Sequence, residues 1–197
     1  MVTTVTGRAG GATDSEIIQE SWQAPEQFGT LYHRYATVLY GYAYQRVGQS
    51  AAEDLVADTF LAAFDQRRRY DLAHSNARPW LFGILTNKIA RRGRAERTHY
   101  RAYARAWQAP VEDAPDERVA EQVTAGAQRA RLAAALCRLR RDDRHVLLLV
   151  AWGQLSYEEV AEAMNIPVGT VRSRLNRARH QVREALADAT DEAERNS

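Results

Sequence analysis

Residues 168–179, VGTVRSRLNRAR, set Thr170, Arg172, Ser173, Arg174, Asn176, Arg177 and Arg179 around two apolar positions four apart, Val171 and Leu175. At helical spacing the two apolar side chains face inward and the other seven stay outside. The outer surface is rich in hydrogen-bond donors, with four arginines and no acid. Arginine forks onto guanine edges or clamps phosphates, while Thr, Ser and Asn add shorter bonds to bases or backbone. The chemistry such a stretch can do is recognition of an anion, and of nucleic acid in particular.

The preceding segment must position that helix. Ser156 can cap a first helix, with Glu158 and Glu159 in its first turn where the positive end of the dipole favours carboxylates. Val160, Ala161 and Met164 share a face, and the small Ala161 lets a second helix approach. Asn165 tolerates the positive φ of a tight turn, and Pro167 is pre-set for the start of a new helix. Segment 156–164 carries three acids and no base, so only the second helix of the pair seeks an anion. Two helices joined this tightly make a helix-turn-helix.

Composition narrows the rest. The 197 residues are 45% hydrophobic, enough for one large or two small domains with a real core. Net charge is only +2, yet acids and bases are segregated along the chain. The lone Cys137 excludes an intramolecular disulfide and a cysteine-rich zinc site, which fits a reducing cytosol. No signal-peptide pattern and no membrane-length apolar run occur, so the expectation is a cytoplasmic chain without stable membrane insertion. His33, His74, His99, His145 and His180 are scattered, no phosphate-cradling glycine loop occurs, and no nucleophile motif appears. An enzyme is therefore not expected, nor a cofactor or a metal.

Taken in order, residues 1–25 read as a mobile tail ending at Pro25. Phe28, Leu31, Tyr32, Tyr35, Val38, Leu39 and Tyr42 then recur at helical spacing up to Gly48. Ser50 is expected to cap a second helix with the apolar face Leu55, Val56, Phe60, Leu61 and Phe64. The polar segment 70–78 leads, after Pro79, to a third helix built on Trp80, Leu81, Ile84, Leu85 and Ile89. From 86 to 105 seven bases stand against one acid, Glu96, a local charge of +6. Tyr100, Tyr103 and Trp107 are interleaved with them, which suits phosphate contact plus base stacking, or else packing on the helix below. Segment 111–121 has five acids and a proline and reads as a domain boundary. Two more helices, 130–139 and 143–152, are expected to carry the helix-turn-helix, and the acidic end of the chain to fray. The fold class is all-α: two small helical domains, 26–98 and 126–188, joined by a flexible acidic linker, 99–125, with a tail at 189–197.

Three stretches in this order resemble the sigma-70 family of bacterial transcription initiation factors, in its smallest, extracytoplasmic-function group. AAEDLVADTFLAAF (51–64) is similar to the family's second conserved helix, PWLFGILTNKIARR (79–92) to its promoter-melting helix, and LSYEEVAEAMNIPVGTVRSRLNRAR (155–179) to its C-terminal helix-turn-helix. The resemblance implies a factor that binds core RNA polymerase and directs promoter recognition, melting and initiation. Its N-terminal domain would read the minus-ten element as single-stranded DNA and dock on the β′ clamp helices; its C-terminal domain would read the minus-thirty-five element as duplex and touch the β flap. Carried across by position, Asp54, Leu55 and Thr59 fall on the docking helix. Trp80, Asn87, Lys88, Arg91 and Arg92 fall on the melting helix, and His74, Ser75 and Asn76 on the loop that captures a flipped base. The seven polar residues of 170–179 fall on the recognition helix. An anti-sigma factor is implied as a partner, and the acidic linker would imitate RNA in the polymerase channel. A duplex-binding regulator of another kind also explains 156–179, but not the basic, aromatic-laced helix of the other domain.

Overall fold

The computed structural model describes residues 11–106 and 117–195, and among them every regular element is helical. The chain does not wait for Pro25 to become ordered. Thr13 and Glu16 form a reciprocal capping box that starts α1 (Asp14–Glu20), with Ile17 and Ile18 in the core. Asp14, also buried, accepts bonds from Arg34 at 2.6 Å, the Tyr35 hydroxyl at 2.5 Å and the Ala77 amide at 2.8 Å. One carboxylate thus ties three segments together and satisfies an amide at the start of a later helix that has no partner within that helix. The expected mobile tail is corrected for residues 11–23; residues 1–10 lie outside the described part.

After a 3-10 turn at Pro25–Phe28, α2 (Gly29–Val47) and α3 (Gln49–Gln66) form a helical pair. The single residue between them is Gly48 at φ 82°, a conformation that glycine adopts without a Cβ penalty. The reversal is so short that Ser50 sits within α3 instead of capping it; Gly48 is the cap and no side chain assists. Tyr32, Val38 and Leu61, expected on apolar faces, remain exposed. α4 (Arg78–Arg91) lies against both helices and buries Leu81, Phe82, Leu85 and Ile89.

The segment read as a linker is mostly helix. α5 (Gly93–Ala106) runs on past residue 99, and α6 (Glu117–Arg138) begins just beyond Pro115 and packs against it. Ala130 and Ala133 of α6 are buried. Tyr100 goes inward at 3% exposure, which decides between stacking and packing for that ring. The Tyr103 side chain and residues 107–116, Trp107 and the start of the acidic stretch among them, lie outside what is described. α7 (Arg141–Ala151), α8 (Tyr157–Met164) and α9 (Val168–Arg195) complete the chain, with Val146, Leu148, Leu149, Val160, Val171 and Leu175 buried. Buried side chains from α1 to α9 form one continuous cluster. No described helix is long and apolar enough to cross a membrane.

Candidate nucleic-acid interface

The helix-turn-helix is built as its residue types dictate. The Ser156 hydroxyl accepts from the Glu159 amide at 3.1 Å, and the Glu159 carboxylate accepts from the Ser156 amide at 2.8 Å. Asn165 closes α8 in the left-handed conformation, φ 51° and ψ 53°, and the Ile166 amide returns to the Ala161 carbonyl at 2.9 Å. Val171, Leu175 and Ala178 then face inward along α9, leaving Arg172, Ser173, Asn176, Arg177 and Arg179 exposed and Thr170 and Arg174 half-buried.

Their surroundings divide these donors. Arg177 gives both arms of its fork to Asp143, at 2.7 and 2.8 Å, and Asp143 is 2% exposed. Arg174 lies 3.5 Å from Asp142. Ser173 turns its hydroxyl back to the Thr170 carbonyl at 3.0 Å. Arg172 and Arg179 have no acidic partner among the described residues. The two central arginines therefore brace α9 on α7, and the two flanking ones are available to a ligand. Sequence reasoning missed Asp142 and Asp143, although two acids in the first turn of a helix were a visible signal.

In the N-terminal half the candidate loop lies directly under α8. The Asn76 amide donates to Glu159 at 3.4 Å and its oxygen accepts from the Arg78 amide at 2.9 Å. The His74 ring is 3.5 Å from Glu162, and the Ser75 carbonyl accepts from the Asp14 amide at 3.1 Å. Arg78 donates to the Gly153 carbonyl at 2.6 Å. Trp80 is half-buried with its ring 4.9 Å from that of Tyr70. Asn87 and Arg91 line a cleft of about 620 Å³ opposite Asn165 and Arg174, while Lys88 is half-buried. Arg92 is tethered instead to α3, 3.9 Å from Asp54 and 3.4 Å from Asp58.

Of the three residues expected at a polymerase contact, Asp54, Leu55 and Thr59, only Asp54 is exposed. Leu55 and Thr59 are both 0% exposed, and the Thr59 hydroxyl is used on the Leu55 carbonyl at 2.6 Å. Their assignment to a partner contact is corrected: they pack α3 onto its neighbours. The side chains beside Asp54 that a partner can reach are Asp58 and Leu61, the latter 62% exposed.

A buried ionic bridge joins the two halves. Glu96, the one acid of the basic stretch, is 1% exposed and accepts from Arg46 of α2 and, at 3.1 Å, from Arg144 of α7. Arg46 also donates to the Tyr42 hydroxyl at 2.7 Å. Beside this bridge His145 is buried with its Nε2 unpartnered, and burial together with Arg46, Arg144 and Arg141 pushes its pKa down to about 2. Nearby, α4 meets α8 so closely that a Cβ on Gly83 would stand 2.5 Å from the Ala163 carbonyl oxygen. No cluster of three metal-ligating side chains occurs among the described residues.

Fold and site define a class, an all-helical protein in which a helix-turn-helix closes over a second, basic helical unit. Residues 31–99 match the family description Sigma-70 region 2, and residues 129–182 match Sigma-70, region 4. The ECF RNA polymerase sigma factor SigE of Mycolicibacterium smegmatis is 33% identical over 187 residues, 92% of this chain and 67% of that protein. SigL of Mycobacterium tuberculosis is 30% identical over 159 residues, 80% of this chain and 88% of that one. A co-crystal structure of the sigma factor RpoE with the anti-sigma factor NepR from Bartonella quintana is similar at a TM-score of 0.56 and 25% identity, covering 82% of this chain and 98% of that chain. The chain belongs to the sigma-70 family, as one of its ECF RNA polymerase sigma factors acting in transcription initiation.

Proposed function

We propose that this chain binds core RNA polymerase in the cytoplasm and directs it to promoters, with residues 26–98 engaging the minus-ten element as single strand and 126–188 the minus-thirty-five element as duplex. The observation that carries the reading is the exposed donor row of α9, held out by a capped helix-turn-helix in a chain that also carries the region-2 segment. Arg172, Arg179 and Asn176 are its free contacts to DNA, and Arg174 and Arg177 orient the helix. On the other half, Asn87, Arg91 and the loop 74–76 would hold the opened strand, and Asp54 with Asp58 and Leu61 would meet the β′ clamp helices. The β flap is the proposed partner of the C-terminal half. The contacts of Asn76 and His74 with α8 describe a closed resting arrangement, and α8 must leave the loop before a base can enter it. An anti-sigma factor is the partner suited to hold such an arrangement shut.

Run-off transcription with core polymerase tests the reading. Addition of the protein should give promoter-specific transcripts that core enzyme alone does not make. Tight binding to duplex DNA with no association with core polymerase would instead support a regulator of another kind.

A further inference from the structure

Beside the Arg177–Asp143 brace, α5, the start of α7 and α9 line an open cleft of about 430 Å³. That volume is within the roughly 300–1,000 Å³ typical of small-ligand sites. Five arginines line it, Arg97, Arg140, Arg141, Arg174 and Arg177, against two aspartates, Asp142 and Asp143. Five positive charges less two negative leave a formal +3. The aspartates are already engaged: Asp143 by Arg177 at 2.7 Å, and Asp142 by Arg141 at 3.2 Å and Arg174 at 3.5 Å. Arg97 and Arg140 have no acidic partner among the described residues, and both are exposed. Like charges gathered in a concavity repel one another until an anion enters.

We propose that this cleft binds a compact anion carrying two or more linked phosphate groups, and that the bound anion fastens the N-terminal half to the C-terminal half. Arginine forks match phosphate oxygens, two per guanidinium, which selects phosphate over simple halide. One phosphate monoester carries about −1.5 to −2 at neutral pH and leaves a +3 lining under-neutralised, so linked phosphates fit better. Arg97 lies on α5, in the region-2 segment, whereas Arg140 lies at the start of α7, in the region-4 segment. A ligand gripping both stabilises the closed arrangement and, given the DNA reading of α9, competes with duplex. Backbone phosphates of DNA offer the same chemistry from a second source.

Calorimetric titration of the full chain with sodium pyrophosphate, at roughly 0.15 M salt to screen diffuse attraction, tests this. The expected result is a single saturable site that Arg97→Ala and Arg140→Ala each weaken roughly tenfold or more, the loss of a charge-assisted hydrogen bond. Arg69→Ala, on a second 3-10 turn (Arg67–Arg69) outside the cleft, should leave the affinity unchanged. Both cleft side chains are exposed, so their removal should spare the fold, and melting of each variant checks that. Heat that never saturates and is equal in all three variants means an unstructured counterion cloud and overturns the proposal. So does a short duplex whose binding needs Arg97 and Arg140 while pyrophosphate binding does not, an outcome that gives the cleft to the DNA backbone. The pyrophosphate titration contains neither DNA nor polymerase, so its failure and that of the transcription reading are separate.

Discussion

Arg172 and Arg177 carry the same side chain on the same helix, yet their neighbours give them different work. Arg177 satisfies a carboxylate that is 2% exposed, so Arg177→Ala strands a buried charge. Thermal melting of that variant should fall clearly below wild type, whereas Arg172→Ala should melt like wild type. On promoter duplex, Arg172→Ala should lose affinity; if it grips a phosphate, the salt dependence flattens by about one unit of slope, and if a base, discrimination drops by roughly 1–3 kcal/mol. Equal melting of both variants would remove the bracing role of Arg177. His145 gives a second test at this scale. Its folded pKa is depressed, so as pH falls below about 6.5 the unfolded chain takes up a proton that the native chain refuses. Native stability is complete above that pH and should decline by about 1 kcal/mol between about pH 6.5 and 5.5. Urea unfolding of wild type and His145→Leu at the two pH values checks it: the loss should be smaller in the variant, and an equal loss would place the acid sensitivity elsewhere.

Among the elements, α8 depends most on local chemistry. It has 8 residues, too few to hold alone, and only Val160 of them is fully buried. The Ser156–Glu159 box therefore matters more than it would on a long helix. Ser156→Ala should cost about 1 kcal/mol of unfolding free energy, which for a chain of this size is a fall of about 2–4 °C in Tm. An unchanged melting curve would mean that packing on α4 and α9 suffices. α1 shows the opposite case. Its capping box, Thr13 and Glu16, was legible in the sequence by the same rule that located α8, but only seven residues follow, and Thr- and Gly-rich surroundings read as a tail. What orders it is Asp14 meeting Arg34, Tyr35 and Ala77, contacts up to 63 residues away in sequence that no local pattern contains.

For the whole molecule, the contact of α8 with α4 is what the proposed opening must break. Gly83 is the point of nearest approach. Gly83→Ala favours α4 itself by about 1 kcal/mol of helix propensity, but its methyl group would collide with the Ala163 carbonyl at 2.5 Å. The collision should win at the interface and the propensity within the helix, so helical content stays while the two halves part. Small-angle scattering should report a larger radius of gyration with an unchanged far-ultraviolet circular dichroism spectrum. An unchanged radius would show that the contact yields locally and does not govern opening.

The sequence by itself determined the all-helical class, the helix-turn-helix with its cap, its left-handed Asn165 and its inward Val171 and Leu175, and the family. These follow from spacing within a few residues, where backbone preference and apolar periodicity act. Only the tertiary structure decided which polar side chains are free. Leu55 and Thr59 turned inward, Arg177 and Arg92 found acids on other helices, and Glu96, an isolated acid in a basic run, became the buried link between Arg46 and Arg144. A charge shows its type in the sequence, but its partner depends on which distant helix is packed beside it. For a buried ion that partner determines whether the group binds a ligand or braces the fold.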